Sequence, residues 1–228
     1  MVGLDADDTL WHNEPLFTSR REQFCALLSR YEPKGIPEDV LYSVEMRNLR
    51  HFGYGVKGFV LSMIETAIEM TGGRVESDDV RQIIGWGREM LATPTQLLDG
   101  VAEAIETLAQ NHRLVLVTKG DLLDQETKLA RSGLGDFFTD VSVVSRKDRA
   151  TYEGLVAGRG LDPAEFLMVG NSLRSDVVPV AEMGGHAVHI PYTETWAHEK
   201  VDAARLTSVR YHTLPRIHDL PELVRGLP

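Results

Sequence analysis

Three aspartates stand close together near the beginning of the chain, in the stretch MVGLDADDTL. Asp5, Asp7 and Asp8 directly follow a short apolar run. Because the chain is expected to be turning by Asp7, the carboxylates of Asp5 and Asp7 can approach one centre from different directions. Carboxylates held this close repel one another, and a hard cation such as Mg²⁺ relieves the repulsion. Taken alone, the pattern favours an acidic turn that only caps a helix; a metal-dependent acidic site is the alternative, and it needs support from the rest of the chain.

An apolar run that ends abruptly in acids is typical of a buried strand whose carboxyl end opens into a site. Further strands are predicted from apolar runs at residues 114–117, 141–144, 166–169, 187–190 and 209–212. Segments with helical periodicity separate these strands, which favours right-handed crossovers and a parallel sheet covered on both faces. The predicted fold class is therefore α/β, a doubly wound parallel sheet, with a helical insertion described next.

Between the first and second predicted strands, residues 14–92 show only helical periodicity. Four amphipathic helices with no strand between them predict a self-contained α-helical bundle. The predicted domains are an α/β core of residues 1–13 and 93–228 and a helical cap of residues 14–92. The chain crosses between them near residues 11–14 and 92–96. We expect these crossings to act as a hinge for a lid over the acidic strand end.

Composition and charge argue against several kinds of partner. The 228-residue chain has a formal net charge of −10 and no evident basic cluster, which argues against nucleic-acid binding. No apolar run approaches membrane-spanning length, and the N-terminal residues lack the pattern of a signal peptide. The single cysteine, Cys25, excludes an internal disulfide and fits a reducing cytoplasm. We expect Cys25 to be a core residue.

Polar side chains also follow the other predicted strands. Thr118 ends the second strand, Lys147 follows the third, and Asn171 and Asp176 follow the fourth. Since the carboxyl ends of parallel strands meet at one edge of a sheet, these groups should converge on the N-terminal aspartates. A carboxylate nucleophile, a Mg²⁺ site and donors for an anion together suit phosphoryl groups. Taken singly, Thr118 could be a helix cap, Lys147 a solvated lysine and Asp176 a first-turn acid.

Four ordered segments carry a resemblance to a known family: DADDTL at residues 5–10, LVLVTKG at residues 114–120, VSRKD at residues 144–148 and VGNSLRSD at residues 169–176. In this order and on these elements, the chain resembles the haloacid dehalogenase-like superfamily of hydrolases, specifically its phosphatases with a helical cap inserted after the first strand. The resemblance covers nearly the whole chain. It implies a small-molecule phosphate ester as substrate and Mg²⁺ as cofactor.

The resemblance also implies a role for each strand-end residue. Asp5 would attack phosphorus and form an aspartyl-phosphate, which water then hydrolyses. Asp7 would protonate the leaving alcohol and later deprotonate the water. Thr118 and the backbone N–H of Lys119 would bind phosphate oxygens, and Lys147 would neutralise the charge shared by phosphate and Asp5.

The implied metal site departs from the family pattern at one position. Mg²⁺ would be held by Asp5, the backbone carbonyl of Asp7 and Asp176. This chain has Asn171 where many relatives have an acid. An amide oxygen can coordinate Mg²⁺ or orient a metal-bound water, but it carries no charge, so we expect a lower metal affinity. Asp8 stands where many relatives have glycine, and the turn tolerates aspartate.

Asp7 separates activities within the superfamily. The carbon–halogen branch lacks the second aspartate because a departing halide needs no proton, so Asp7 favours phosphate transfer over dehalogenation. A phosphomutase is the alternative inside the family. A phosphate-binding or regulatory protein without turnover is the alternative from another class, and only Asn171 supports it. A phosphatase is the favoured activity.

Substrate choice is expected to depend on the cap. The segment between its second and third predicted helices contains glycines and several cations. Four of its side chains could contact substrate, the cations by binding a second anionic group and the tyrosine by stacking on a ring: Arg47, Arg50, Tyr54 and Lys57. A solvated turn between helices is the alternative. Trp11 and His12, next to the aspartates, are expected to line the entrance.

Overall fold

The computed structural model describes residues 1–31, 38–193 and 206–227. The strands are β1 (Val2–Leu4), β2 (Leu114–Lys119), β3 (Phe138–Val144), β4 (Leu167–Gly170), β5 (His186–His189) and β6 (His212–Thr213). They form one six-stranded sheet in the order β3-β2-β1-β4-β5-β6. Every pairing in this sheet is parallel, as the sequence predicts.

β1 occupies the middle of the sheet. Leu4 pairs with Leu116 of β2 on one side and with Val169 of β4 on the other. Every residue of β1 is buried, because a parallel strand at the centre of a sheet is covered on both faces. The carboxyl end of β1 therefore lies between those of β2 and β4, and residues that follow these strands meet at one edge.

Helices cover both faces of the sheet. The described helices are α1 (Glu14–Leu28), α2 (Glu38–Phe52), α3 (Val56–Thr71), α4 (Ser77–Ala92), α5 (Val101–Ala109), α6 (Leu122–Ser132), α7 (Arg149–Ala157), α8 (Val178–Glu182) and α9 (Leu220–Arg225). On one face, Ile105 of α5 and Leu220 of α9 join the hydrophobic cluster that contains Leu116. On the other face, Tyr152 of α7 packs with Val117. Successive residues of a strand point to opposite faces, so Leu116 and Val117 belong to different clusters. The predicted α/β fold class is confirmed.

The chain forms two compact units. One consists of Met1–Glu14, Thr95–Lys119 and Gln125–Pro228, and the other of Pro15–Pro94 and Gly120–Asp124. The second unit contains α2, α3, α4 and nearly all of α1. Phe24, Met63 and Ile83 lie in its hydrophobic core. In the described part of both units, no helix combines the length and hydropathy needed to cross a membrane.

The structure corrects two predictions made from the sequence. Cys25 is exposed on α1, so the prediction that it is a core residue is wrong. The buried face of α1 carries Phe24, Leu27 and Leu28, and a residue one position after Phe24 is rotated away from that face. The last strand begins at His212, which is the final residue of the strand predicted at 209–212.

Candidate active site

Asp5 lies just past the end of β1 and is almost completely buried, with 7% of its surface exposed. Its backbone N–H donates to the carbonyl of Val169 at 2.9 Å, which extends the pairing of β1 with β4. Its Oδ1 accepts a hydrogen bond from Lys147, and its Oδ2 accepts one from the Thr9 hydroxyl at 3.0 Å. Both carboxylate oxygens are thus held in fixed directions, a condition that a nucleophilic carboxylate must meet.

Lys147 joins two carboxylates that lie far apart in the sequence. It stands in the loop between β3 and α7, and its Nζ donates to Asp5 and, at 2.7 Å, to Asp176 Oδ1. Asp176 belongs to a short π-helical segment after β4, Leu173–Val177. Its Oδ2 accepts from the backbone N–H of Ser172 at 3.0 Å. The structure therefore brings together Asp5, Lys147 and Asp176 at the carboxyl edge of the sheet.

The charges of these three residues influence one another strongly. Burial raises the pKa of Asp5 to about 7; the charge of Lys147 opposes this shift, and that of Asp176 adds to it. Burial favours neutral lysine, but the charges of Asp176 and Asp5 outweigh it and raise the pKa of Lys147 to about 12. Lys147 is therefore a cation at neutral pH. Two buried carboxylates share this one cation, and a second positive charge would relieve their repulsion.

The residues predicted to hold Mg²⁺ fit a hard cation. Asp5 Oδ1 and Asp176 Oδ1 accept from the same nitrogen, so they lie within about 6 Å of one another. Asn171 is held next to Asp5 through Thr9, whose hydroxyl accepts from the Asn171 N–H at 3.0 Å and donates to Asp5. With the Asp7 carbonyl, every predicted ligand is an oxygen atom, the type that Mg²⁺ prefers.

This ligand set depends on few charged side chains. Within residues 1–31, 38–193 and 206–227, no group of three or more His, Cys, Asp or Glu side chains is placed to hold a metal ion. A metal site at the sheet edge would therefore combine the carboxylates of Asp5 and Asp176 with neutral oxygens. Fewer charged ligands favour weaker binding of the cation, and the lower Mg²⁺ affinity expected from Asn171 stays a prediction.

Gly170, the last residue of β4, makes room for Asp176. A Cβ at position 170 would lie 2.2 Å from Asp176 Oδ2, far inside van der Waals contact. Gly170→Ala is therefore expected to displace this carboxylate and to lower the free energy of unfolding by about 1–3 kcal/mol, as measured by urea denaturation. Gly154→Ala in α7 is the control, because a Cβ there meets nothing within 4 Å. Equal stabilities of the two variants would contradict this role for Gly170.

The Asp7 carboxylate has a separate set of partners. Its Oδ1 accepts from the Trp11 indole N–H at 2.8 Å and from Lys128 Nζ at 2.9 Å. Its Oδ2 accepts from Gln125 Nε2 at 2.8 Å. Burial acts to raise the pKa of Asp7, but the charge and hydrogen bond of Lys128 and the hydrogen bonds of Gln125 and Trp11 hold it below its ordinary value. Asp7 is therefore a carboxylate at neutral pH in this state.

Sequence reasoning missed Gln125 and Lys128 and misplaced Trp11. Gln125 and Lys128 stand three residues apart on α6, which follows the end of β2. This spacing indicates that they share a helical face but does not indicate which residue that face meets. Trp11 is buried, so the prediction that it lines an entrance is wrong. His12 is exposed, and its Nδ1 shares a hydrogen bond of 2.7 Å with the Tyr192 hydroxyl.

Asp8 caps the first helix. Its backbone has a φ of 60°, in the left-handed region that aspartate tolerates better than most residues. Its Oδ1 accepts from the backbone N–H groups of Asn13 at 2.8 Å and Glu14 at 3.0 Å, at the beginning of α1. Burial raises the pKa of Asp8 to about 7, although these hydrogen bonds oppose the shift. The acidic stretch thus contains both a helix cap, Asp8, and a residue of the charged cluster, Asp5.

Asp8→Asn is expected to change the pH dependence of stability. Asparagine keeps the acceptor oxygen and tolerates the left-handed backbone, but it does not ionise. The unfolded chain releases the Asp8 proton near pH 3.8, whereas the folded protein keeps it to about pH 7. Stability contributed by Asp8 therefore falls as the pH rises through this interval, and the variant should gain up to about 4 kcal/mol relative to wild type. Urea denaturation with a chelator present measures the difference; a constant difference across the interval would contradict the shift.

Thr118 and Lys119 end β2. Thr118 is buried, and its hydroxyl donates to the carbonyl of Lys119 at 3.1 Å, so this hydroxyl would have to turn to meet a phosphate oxygen. Lys119 Nζ donates to the hydroxyl of Ser175 at 3.1 Å, and Ser175 directly precedes Asp176 in the chain. Because β1 lies between β2 and β4, this contact spans the carboxyl end of β1. The Lys119 ammonium is a further cation at the sheet edge, where the sequence indicated only its backbone N–H.

The predicted substrate residues lie around the junction of α2 and α3. Arg47 and Arg50 belong to α2, so the loop predicted there is shorter than expected. Arg47 donates to two glutamates of α3, each at 2.7 Å, and Lys57 pairs with Asp121 at 2.8 Å. Carboxylates of the same unit thus already neutralise these two cations. Contact of substrate with Arg47, Arg50, Tyr54 or Lys57 stays a prediction.

Comparison with known proteins gives a family and several similar structures. A family model of haloacid dehalogenase-like hydrolases matches residues 1–184. A haloacid dehalogenase-like family hydrolase from Xanthomonas campestris is 41% identical, with a TM-score of 0.86 and coverage of 99% of this chain and 90% of that chain. A predicted phosphoglycolate phosphatase from Haemophilus somnus is 19% identical, with a TM-score of 0.64 and coverage of 98% and 97%. No curated protein matches the chain.

A dehalogenase shares the same fold. The L-2-haloacid dehalogenase from Xanthobacter autotrophicus is 16% identical, with a TM-score of 0.62 and coverage of 100% of this chain and 98% of that chain. At such identities the likeness extends to the fold alone, so neither this enzyme nor the phosphatase determines the reaction. The family match spans most of the chain and includes all four strand-end segments. The chain belongs to the haloacid dehalogenase-like hydrolases.

Proposed function

We propose that the protein is a Mg²⁺-dependent phosphatase that hydrolyses small-molecule phosphate monoesters through an aspartyl-phosphate intermediate. The observation that carries the proposal is the contact of Lys147 Nζ with both Asp5 and Asp176, next to a second aspartate two residues after Asp5. This arrangement supplies an oriented carboxylate, a buried cation and a place for a second cation. We also propose that the protein works in the reducing cytoplasm, as the single cysteine predicts.

The chain's own residues account for both half-reactions. An oxygen of Asp5 forms a bond to phosphorus, the ester P–O bond breaks, and the leaving oxygen takes a proton from Asp7. A water molecule then gives its proton to Asp7 and attacks phosphorus, which releases phosphate and restores the Asp5 carboxylate. Lys147 balances negative charge on Asp5 and on the transferring group in both steps.

Mg²⁺ would be held by Asp5, the backbone carbonyl of Asp7, Asp176 and Asn171. When bound, it supplies positive charge that lets an anionic nucleophile approach an anionic phosphate. Thr118 and the Lys119 backbone N–H would bind phosphate oxygens. The lysine side chains nearby make the edge of the sheet favourable for a dianion.

The protonation state of Asp7 must change during this cycle. In the resting site, donors on three side chains stabilise its carboxylate form. A bound phosphate dianion brings like charge close to Asp7 and raises its affinity for a proton. Asp7 would thus act as the acid when substrate is bound and as the base after the alcohol has left.

Asp7 also favours a phosphatase over a dehalogenase. A halide leaves as a stable anion and needs no proton, so an acid–base carboxylate at this position would have no role in dehalogenation. The phosphomutase alternative lacks a specific observation in its favour, and Asn171 alone supports the phosphate-binding alternative. We further propose that the helical unit is the cap predicted at residues 14–92, and that its residues Arg47, Arg50, Tyr54 and Lys57 help to select the substrate.

Phosphate release from a panel of esters tests the proposed function. The panel contains p-nitrophenyl phosphate, alkyl phosphates and sugar phosphates, each assayed with Mg²⁺ and with a chelator. Mg²⁺-dependent turnover of at least one ester supports the phosphatase, and the preferred esters identify the substrate class. Release of halide from haloacids without metal, or no turnover of any ester, would overturn the proposal.

A further inference from the structure

Two side chains of α6 reach the same carboxylate from one helical face. Gln125 and Lys128 are three residues apart, a spacing that places side chains side by side on a helix. Gln125 donates to Asp7 Oδ2 at 2.8 Å, and Lys128 donates to Asp7 Oδ1 at 2.9 Å. Each oxygen of Asp7 therefore has a donor from an element that is separate from the loop of Asp7 itself.

Both side chains are fixed by additional contacts. Gln125 is 2% exposed, and its Nε2 also donates to the carbonyl of Lys119 at 3.0 Å, which ties it to the end of β2. Lys128 Nζ also donates to Asn13 Oδ1 at 2.9 Å. A largely buried side chain that is already fixed by a second partner loses little freedom when it orients Asp7. These contacts make α6 a rigid support for the second aspartate.

We propose that Gln125 and Lys128 are positioning residues for acid–base catalysis, which orient the Asp7 carboxylate towards the leaving oxygen of the phosphate ester. The inference rests on the proposed function and deepens it. Removal of either support would leave Asp7 in place as a chemical group but free to adopt other rotamers. A misdirected acid transfers its proton less effectively, whereas attack by Asp5 and charge balance by Lys147 are unaffected.

The leaving group decides how much this loss matters. An alkoxide is a strong base and needs a proton as the P–O bond breaks, whereas p-nitrophenolate is stable enough to leave without one. The parameter kcat/KM covers the steps up to departure of the alcohol, so it isolates the acid step from the later attack of water. Positioning residues for Asp7 should therefore affect alkyl phosphates more than p-nitrophenyl phosphate.

The test compares kcat/KM for an alkyl phosphate and for p-nitrophenyl phosphate in the wild type and in Lys128→Met. We expect a loss of about 10- to 100-fold for the alkyl ester and a change within about threefold for the aryl ester. Gln125→Leu should show the same selectivity, and Lys128→Arg should recover most of the alkyl rate. Arg131→Met, an exposed position on the same helix, is the matched control and should change neither rate.

A second comparison separates positioning from a general structural effect. In an Asp7→Asn background, Lys128→Met should add no further loss on the alkyl ester, because the acid through which it acts is absent. Equal losses on both esters, or no loss on either, would overturn the inference while leaving the phosphatase intact. Sugar phosphates serve equally as the alkyl ester, because their leaving group is also an alkoxide. A wild type that hydrolyses no ester of the panel would overturn the proposed function and the inference with it.

Discussion

Asp5→Asn is expected to reduce phosphate release by at least about 10⁴-fold, because the nucleophile itself is lost. The amide has nearly the shape of the carboxylate but only one oxygen, which can accept from Lys147 while the amide NH2 faces the Thr9 hydroxyl and donates to it. The substitution therefore removes the charge and nucleophilicity of one group with little change in packing. Initial rates at saturating ester and Mg²⁺ measure the effect.

Interpretation of Asp5→Asn requires that the variant is folded. Asp5 is buried beside Asp176, and loss of one of two neighbouring carboxylates relieves repulsion. Thermal denaturation without metal should therefore give a stability close to that of the wild type. Retention of a large part of the wild-type rate in a folded variant would exclude Asp5 as the nucleophile.

Lys147→Met should produce the largest change in stability. It leaves the carboxylates of Asp5 and Asp176 buried without their shared cation, and loss of one partner from a buried ion pair costs about 3–5 kcal/mol. Urea denaturation in the presence of a chelator measures this loss. Mg²⁺ should restore part of the stability because it binds the folded state and supplies positive charge at the same place. Turnover should be severely reduced even with the metal, because charge balance on the transferring group is lost.

Arg146→Met is the matched control for Lys147→Met. Arg146 precedes Lys147 in the chain, and its side chain is 78% exposed beside Asp148. Loss of an exposed ion pair costs about 1 kcal/mol or less. The same stability for the two variants, or no effect of Mg²⁺ on Lys147→Met, would show that Asp5 and Asp176 do not depend on the positive charge of Lys147.

Much of the fold and the charged cluster follows from local sequence signals. β1 is an apolar run ending in acids, and its position between β2 and β4 makes its end the meeting point of several strand ends. Lys147 and Asp176 each follow a different predicted strand, so the rule for parallel sheets places them near Asp5 without knowledge of side-chain directions. The structure brings these three residues into contact as expected.

Other features depend on directions that periodicity does not specify. Gln125 and Lys128 point to Asp7 because α6 packs at a particular rotation beside the strand ends, and the sequence of α6 alone does not indicate that rotation. Trp11 looked like an exposed aromatic residue beside a site, yet its indole N–H serves Asp7 in the interior. Cys25 shows the same limit, since an apolar residue one position from a buried stripe can still face solvent.

Trapping of the covalent intermediate would show directly whether Asp5 is the nucleophile. Wild-type protein is mixed with Mg²⁺ and a phosphate ester, quenched in acid within the first turnover and digested, and the peptides are examined by mass spectrometry. We expect the peptide containing Asp5 to gain the mass of one phosphoryl group, and Asp5→Asn to show no such gain. Turnover with phosphate on another residue, or with no phosphorylated peptide at any quench time, would contradict this role of Asp5.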